Sequence, residues 1–415
     1  MPHSFQAVPR EQYLTDMDTK YLLALKTRIN SLSIFRDLLS DPVIESLQSY
    51  LDSIENGTCD AVKAYSEFVS RLYNLGCGKL GVYLQTIVNN SENVYVRLAG
   101  KGMSVGKCML EALNQELSLF DDIAKISPSD MYAPINWDGF LPSFEYGDVK
   151  IAENYLKRLA NIGKFGYGIY AAHRMFYLDE NGSIVPVKNP DPTQLSSLVD
   201  YESQQKVIVD NTRALLSGKI ASNILLTGDA GTGKSSTVKA VVNELYEEGL
   251  RIIEVRKDQL TKIPQMLDEL AQNPLKFIIF IDDLSFTNSD DCFNALKAVL
   301  EGSVSSRSQN TVVYATSNRR HLVKESFSDR DGDDIHRNDT MQEIVSLSDR
   351  FGIHLTFDKP NKQTYFDIVH HLAKEHGVKL SAEELELEAE RFALARGGRS
   401  ARGARQLIEN LAAQE

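Results

Sequence analysis

The chain has 415 residues and a mass of 46.5 kDa, which at about 150 residues per domain argues for two or three domains. Hydrophobic residues make up 42% and charged residues 25%, enough apolar material for sizeable cores, so global disorder and low-complexity architectures are excluded. The net charge of −12 gives no basic domain of the kind that coats nucleic acid, and no run of about 18 apolar residues offers a membrane span.

The opening residues Met1-Pro2-His3-Ser4 lack the basic and apolar regions of a secretory signal. Cys59, Cys77, Cys108 and Cys292 form no CxxC pair. Both features predict reduced thiols and a cytoplasmic location.

The first 190 residues predict a mainly helical domain. Tyr13, Met17, Tyr21, Leu22, Leu25, Ile29 and Leu32 recur at helical spacing until Asp41-Pro42 interrupts the run. Further helices are predicted over Asp60–Leu75, Lys79–Val88, Cys108–Ile123 and Tyr146–Ile162. Ser127–Phe144 has three prolines and the only tryptophan, Trp137, and reads as an ordered loop. Gly163–Gly168 lacks both a preceding strand and GxGxxG spacing, and reads as a turn. A β-hairpin is expected near 175–187, where Asp-Glu-Asn-Gly joins two apolar runs. Asn189-Pro-Asp-Pro192 then marks a boundary near 190.

Beyond it, strands and helices alternate. Asn223–Thr227, Arg251–Val255, Phe277–Ile281, Thr311–Thr316 and His354–Phe357 are short, apolar or β-branched, and each precedes a polar or helical stretch. That pattern predicts an α/β domain over 191–358, with a parallel five-stranded sheet covered by helices on both faces. Residues 359–415 show only helical periodicity and form a small third unit.

Three strand ends carry chemistry. Gly228-Asp229-Ala230-Gly231-Thr232-Gly233-Lys234-Ser235 fits GxxxxGK[ST] between a strand and a helix that starts at Ser236. Glycines let the backbone wrap an anion, and loop N–H groups with the helix N-terminus face phosphates. Lys234 would pair with the β and γ phosphates of ATP, and the Ser235 hydroxyl with Mg²⁺. The apolar run Phe277–Ile281 ends in Asp282-Asp283. Asp282 is the second Mg²⁺ partner, and Asp283 the candidate for orienting or deprotonating the attacking water. Asn318, ending Tyr314-Ala-Thr-Ser, is placed to bond the γ-phosphate or that water. A helix N-cap at Asp283 and a turn at Asn318 are the plain structural alternatives.

These signals, in this order, resemble the Walker A, Walker B and sensor 1 motifs of the AAA+ ATPases. Ser346-Leu-Ser-Asp-Arg350-Phe-Gly352 is similar to the segment that places an arginine finger at a subunit boundary. Gly397-Gly-Arg-Ser-Ala-Arg402 resembles sensor 2 in a C-terminal lid, and Leu198-Val199-Asp-Tyr201 the segment that packs on adenine. Asp282-Asp-Leu-Ser-Phe286, Ala315–Leu322 and Ser346–Gly352 together resemble one bacterial AAA+ family, described as an ATPase domain of unknown function with a helical N-terminal region. The likeness is close from about residue 195 and looser before it. It implies an ATP and Mg²⁺ site, ATP hydrolysis, and a homo-oligomer whose Arg350 reaches a neighbour's site to act on a protein client. The Asp-Asp pair departs from the usual Asp-Glu. Helicase loaders and transposase helpers with similar pairs act more as nucleotide-gated switches, which keeps a slow switch or loader-like scaffold open.

Arg396, Arg399, Arg402 and Arg405 recur every three residues. With Arg319 and Arg320 they could line nucleic acid, but the net charge and the resemblance favour Arg402 at the nucleotide. The acidic run 328–340 misses the register of a calcium loop and reads as a solvated loop.

Overall fold

A computed structural model of the chain describes residues 10–284, 291–301, 309–318, 347 and 349–414. The chain forms two compact units, Met1–Ala172 and His173–Glu415.

The first unit is helical: α1 (Arg10–Asn30), α2 (Pro42–Ser53), α3 (Thr58–Gly76), α4 (Leu80–Asn90), α5 (Val94–Gly100), α6 (Lys107–Ala124), α7 (Pro128–Tyr132) and α8 (Ile151–Ala160), followed by two four-residue turns. The helical run expected to reach Asp41-Pro42 ends at Asn30, and Asp41 closes a short 3₁₀ helix (Arg36–Ser40) and caps the start of α2. The Asp41 carboxylate accepts from Val43 N at 2.9 Å and Ile44 N at 3.2 Å, and Pro42 fills the first helical turn, where a missing N–H costs nothing. One apolar core runs through this unit, with Leu25, Phe35, Tyr50, Phe68, Leu84 and Phe120 all buried. Its rings meet edge to face, as Phe35 does with Phe120 at 5.3 Å between centroids. The expected loop over 127–144 begins with α7, set by a capping box between Ser127 and Asp130. Its later part is pinned by the hydroxyls of Tyr65 and Tyr132, which both donate to the Pro142 carbonyl.

The second unit is built on a seven-stranded sheet. Its strands are β1 (Met175–Leu178), β2 (Ile184–Pro186), β3 (Ile224–Gly228), β4 (Leu250–Glu254), β5 (Lys276–Ile281), β6 (Thr311–Ser317) and β7 (Ile353–Phe357), in the order β2-β1-β4-β5-β6-β3-β7. The five expected strands form a continuous parallel block. The hairpin adds two more: β1 pairs parallel with β4, and β2 closes the edge antiparallel. The hairpin was expected with the N-terminal domain and a boundary near 190. Its backbone ladder with β4 instead ties it to the sheet, and the second compact unit starts at His173.

Among the described residues four helices, α9 (Glu202–Leu216), α10 (Lys234–Leu245), α11 (Ile263–Leu270) and α12 (Asp291–Glu301), complete the sheet region and precede the lid helices. The strands β3 and β5 are almost wholly buried, as expected of parallel strands covered on both faces. After β7 come α13 (Lys362–His376), α14 (Ala382–Ala395) and α15 (Ala401–Ala412), which share a separate apolar core of Tyr365, Val369, Leu385 and Ile408. Among the described residues no helix is long and apolar enough to cross a membrane.

Candidate nucleotide site

The carboxyl ends of β3, β5 and β6 open into one cleft of about 490 Å³. In parallel sheets ligands bind at that end, because the loops leaving the strands diverge there. The phosphate loop runs from Gly228 into α10. At Gly228, φ is +135°, and a Cβ would lie 2.0 Å from the Phe357 carbonyl oxygen on β7. Only glycine lets β3 and β7 approach this closely while the chain turns.

Lys234 is buried in the loop. Its ammonium donates to the carbonyls of Gly228 (2.8 Å) and Asp229 (2.7 Å) and to Asn318 Oδ1 (3.1 Å). Burial holds its pKa below the usual lysine value, and Asp229, Asp282 and Asp283 oppose that shift by stabilising the charge. Ser235 Oγ donates to Asp282 Oδ1 at 2.6 Å. Asn318 Nδ2 donates to Asp283 Oδ1 at 2.7 Å. Asn318 thus bridges the loop lysine and the second acid with one amide. Asp283 sits at φ +54°, a left-handed conformation that a non-glycine residue adopts only under constraint.

Thr316 supplies that constraint and was not singled out from the sequence. Its buried hydroxyl donates to Asp282 Oδ1 (2.5 Å) and accepts from Asp283 N (2.9 Å), while its carbonyl accepts from Leu284 N (2.7 Å). A threonine two residues before Asn318, facing the cleft from an apolar strand, was the available signal.

Ala230, Gly231, Thr232, Gly233 and Ser236 line the cleft with Leu198, Val199 and Tyr201. Asp229 is nearby, with its carboxylate 4.0 Å from Lys359 Nζ. Tyr201 turns its ring onto Phe357, 4.7 Å between centroids, and its hydroxyl donates to the Asp358 carbonyl. From the lid, Ile368, Leu372, Arg402 and Arg405 reach the same cleft. Arg402 N donates to the Gly231 carbonyl at 3.2 Å, so the start of α15 rests on the phosphate loop.

The arginine series divides by partner. Arg396 lies over the Phe392 ring, and Arg399 forms a two-pronged bond with Glu390 at 3.0 Å for each prong. Only Arg402 and Arg405 of the four face the nucleotide cleft. Arg405, about one turn beyond Arg402, was named in that series from the sequence but not placed at the cleft. Arg350 is not in the cleft. It borders a different cavity of about 440 Å³ with Asn223, Thr311 and Gly352, at the amino ends of β3, β6 and β7. Arg319, Arg320, Ser346 and the run 328–340 lie outside the described residues.

A phosphate loop on a parallel sheet of order β4-β5-β6-β3-β7, followed by a helical lid, is the architecture of a P-loop module of the AAA+ type. Residues 170–415 match the family described as "Protein of unknown function (DUF815)", and the chain belongs to that family. No curated protein matches the chain. Similar solved structures include the Thermotoga maritima RuvB Holliday junction branch migration motor, at 18% identity and a TM-score of 0.37, covering 52% of this chain and 63% of that one. The FIGL-1 AAA domain in complex with ADP has 18% identity and a TM-score of 0.38, with 55% and 74% covered. The Escherichia coli MS115-1 HORMA:CdnC:Trip13 complex has 13% identity and a TM-score of 0.38, with 54% and 93% covered. The chain thus spans less than two thirds of the length of the branch migration motor it matches.

Proposed function

We propose that the second unit binds ATP with Mg²⁺ and hydrolyses it, coupling turnover to movement of the lid in a homo-oligomer that acts on a protein client. The observation that carries this reading is convergence. Lys234, Ser235, Asp282, Asp283 and Asn318, from three separate strand ends, meet within hydrogen-bonding distance in one cleft. Chance turns and caps would not be joined in this way.

Each contact in the network has a partner to exchange. The Lys234 ammonium is held by two carbonyls and one amide, and phosphate oxygens are stronger acceptors for it. Ser235 and Asp282 present a hydroxyl and a carboxylate oxygen side by side, the oxygen donors a hard cation takes. Among the described residues no cluster of three His, Cys, Asp or Glu side chains holds a metal, which suits Mg²⁺ completed by phosphate and water. When bound, the ion would neutralise charge developing on the transferred phosphoryl group. Asp283 would take the proton of the attacking water, with Asn318 fixing its carboxylate. Arg402 would meet the phosphates from the lid. Arg350, on the opposite side of the sheet, would serve a neighbouring copy.

A slower, switch-like cycle is the second reading. It is favoured by the short Asp283 side chain, whose carboxylate is already engaged by Asn318. Phosphate release at saturating ATP tests both. Mg²⁺-dependent turnover that EDTA abolishes supports hydrolysis, and a rise in rate with Asp283→Glu marks the short acid as the brake. ATP binding with no phosphate release under any Mg²⁺ concentration would leave binding and remove the enzyme.

A further inference from the structure

Gln205 has no role in the chemistry above, yet its side chain borders the cleft. It lies in the first turn of α9, where its N–H donates to the Tyr201 carbonyl. Its side-chain amide folds back over the preceding segment. Nε2 donates to the carbonyls of both Leu198 (3.3 Å) and Asp200 (3.0 Å). Between these two carbonyls stands Val199. Among the described residues its own N–H and C=O have no hydrogen-bond partner. Asp200 and Tyr201 both sit at positive φ, +79° and +67°, an arrangement that two successive non-glycine residues keep only when held. The holding groups are the Gln205 amide on one side and, on the other, Tyr201 on Phe357 with its hydroxyl on Asp358. Val199 packs against the lid core that contains Ile368 and Leu372, so this end of the cleft is an apolar slot walled by the lid.

An apolar slot with one free backbone donor and one free acceptor suits a flat heteroaromatic base. The Watson–Crick edge of adenine carries an amino donor beside a ring acceptor, complementary to a C=O and an N–H of one residue. Guanine presents the reverse, an acceptor beside a donor. Resting on the nucleotide reading above, we propose that Gln205 is the positioning residue for base selection: it ties up the two flanking carbonyls and fixes the Val199 backbone so that adenine is accepted and guanine refused.

The test is displacement binding of ATP, GTP and tripolyphosphate to the full chain, with Gln205→Leu and Gln205→Glu as variants. Both remove the donation to the two carbonyls. The wild type should prefer ATP to GTP by about tenfold or more, because mismatched polar edges leave buried groups unpaired. Either variant should lose about tenfold in ATP affinity, with GTP and tripolyphosphate binding unchanged. The phosphate ligand separates positioning from general damage, since a distorted module would weaken all three. An unchanged ATP-to-GTP ratio in both variants, or equal weakening of all three ligands, overturns the role of Gln205. Equal binding of ATP and GTP by the wild type overturns base selection alone. A wild type that binds tripolyphosphate and neither nucleotide overturns the slot, and one that binds none of the three overturns the nucleotide reading itself.

Discussion

A buried carboxylate in the helical unit and the two exposed acids of the cleft in the second unit close on different partners. In the helical unit the partners are mainly backbone N–H groups. The buried Glu116 carboxylate accepts from Ser33 N (2.8 Å), Ser33 Oγ (2.6 Å), Ile34 N (3.0 Å) and Phe35 N (2.9 Å), and so fixes the chain between α1 and α2. Tyr155 is also buried, its hydroxyl accepting from Asn93 Nδ2 at 3.1 Å, and burial pushes its phenol up to about 12. In the nucleotide unit the polar side chains at the strand ends bond one another at the mouth of a cleft. Fully satisfied internal groups hold a shape, whereas groups that face solvent and hold each other can trade those partners for a ligand. The contrast sets a structural carboxylate apart from the two proposed to work in the cleft.

The sharpest way to strain the comparison is at Arg350, the one proposed working residue outside the cleft. Arg350→Ala should bind ATP nearly normally and lose about 10³-fold or more in turnover, the range measured for arginine fingers. Mixing it with Lys234→Ala should restore activity above either variant alone, as an intact loop in one copy meets an intact Arg350 in the next. Mixed oligomers with no recovery would remove the finger.

Next in size is Asp283→Asn. A water-orienting base acts in the chemical step, so phosphate release should fall by about 10²–10⁴-fold with ATP affinity unchanged. A wild-type rate would place the base elsewhere. Asp282→Asn, in contrast, should weaken Mg²⁺-dependent binding and turnover together.

On the helical side, Glu116→Ala should strand several buried N–H groups and lower stability by about 3 kcal/mol. The measurement is the melting temperature alongside ATP affinity. The comparison requires the first to fall and the second to stay. An altered affinity with unaltered melting would give Glu116 a working role.

Much of this was legible in the sequence, for physical reasons that differ by element. Parallel strands buried on both faces read as apolar runs, and the residues at their ends, Gly228, Asp282 and Asn318, fell at the sheet's mouth. Other features were not legible. The pattern of Met175–Leu178 announces a strand but not its neighbour, so the pairing with β4 appeared only in three dimensions. Asp41-Pro42 reads as a stop because the same residues that end a helix also start one. Thr316 acts through hydrogen bonds to the end of a neighbouring strand, and Gln205 through a side-chain amide turned back on the segment before it, neither of which a residue pattern announces.

The central claim, a working triphosphate site at the mouth of the sheet, is tested most directly by calorimetric titration of ATP with Mg²⁺ into the wild type and Lys234→Ala. The charge-assisted contacts of one lysine are worth roughly 1.5–3 kcal/mol. The account expects saturable binding to the wild type and affinity about ten- to hundredfold weaker in the variant. Equal affinity in the two proteins would contradict it.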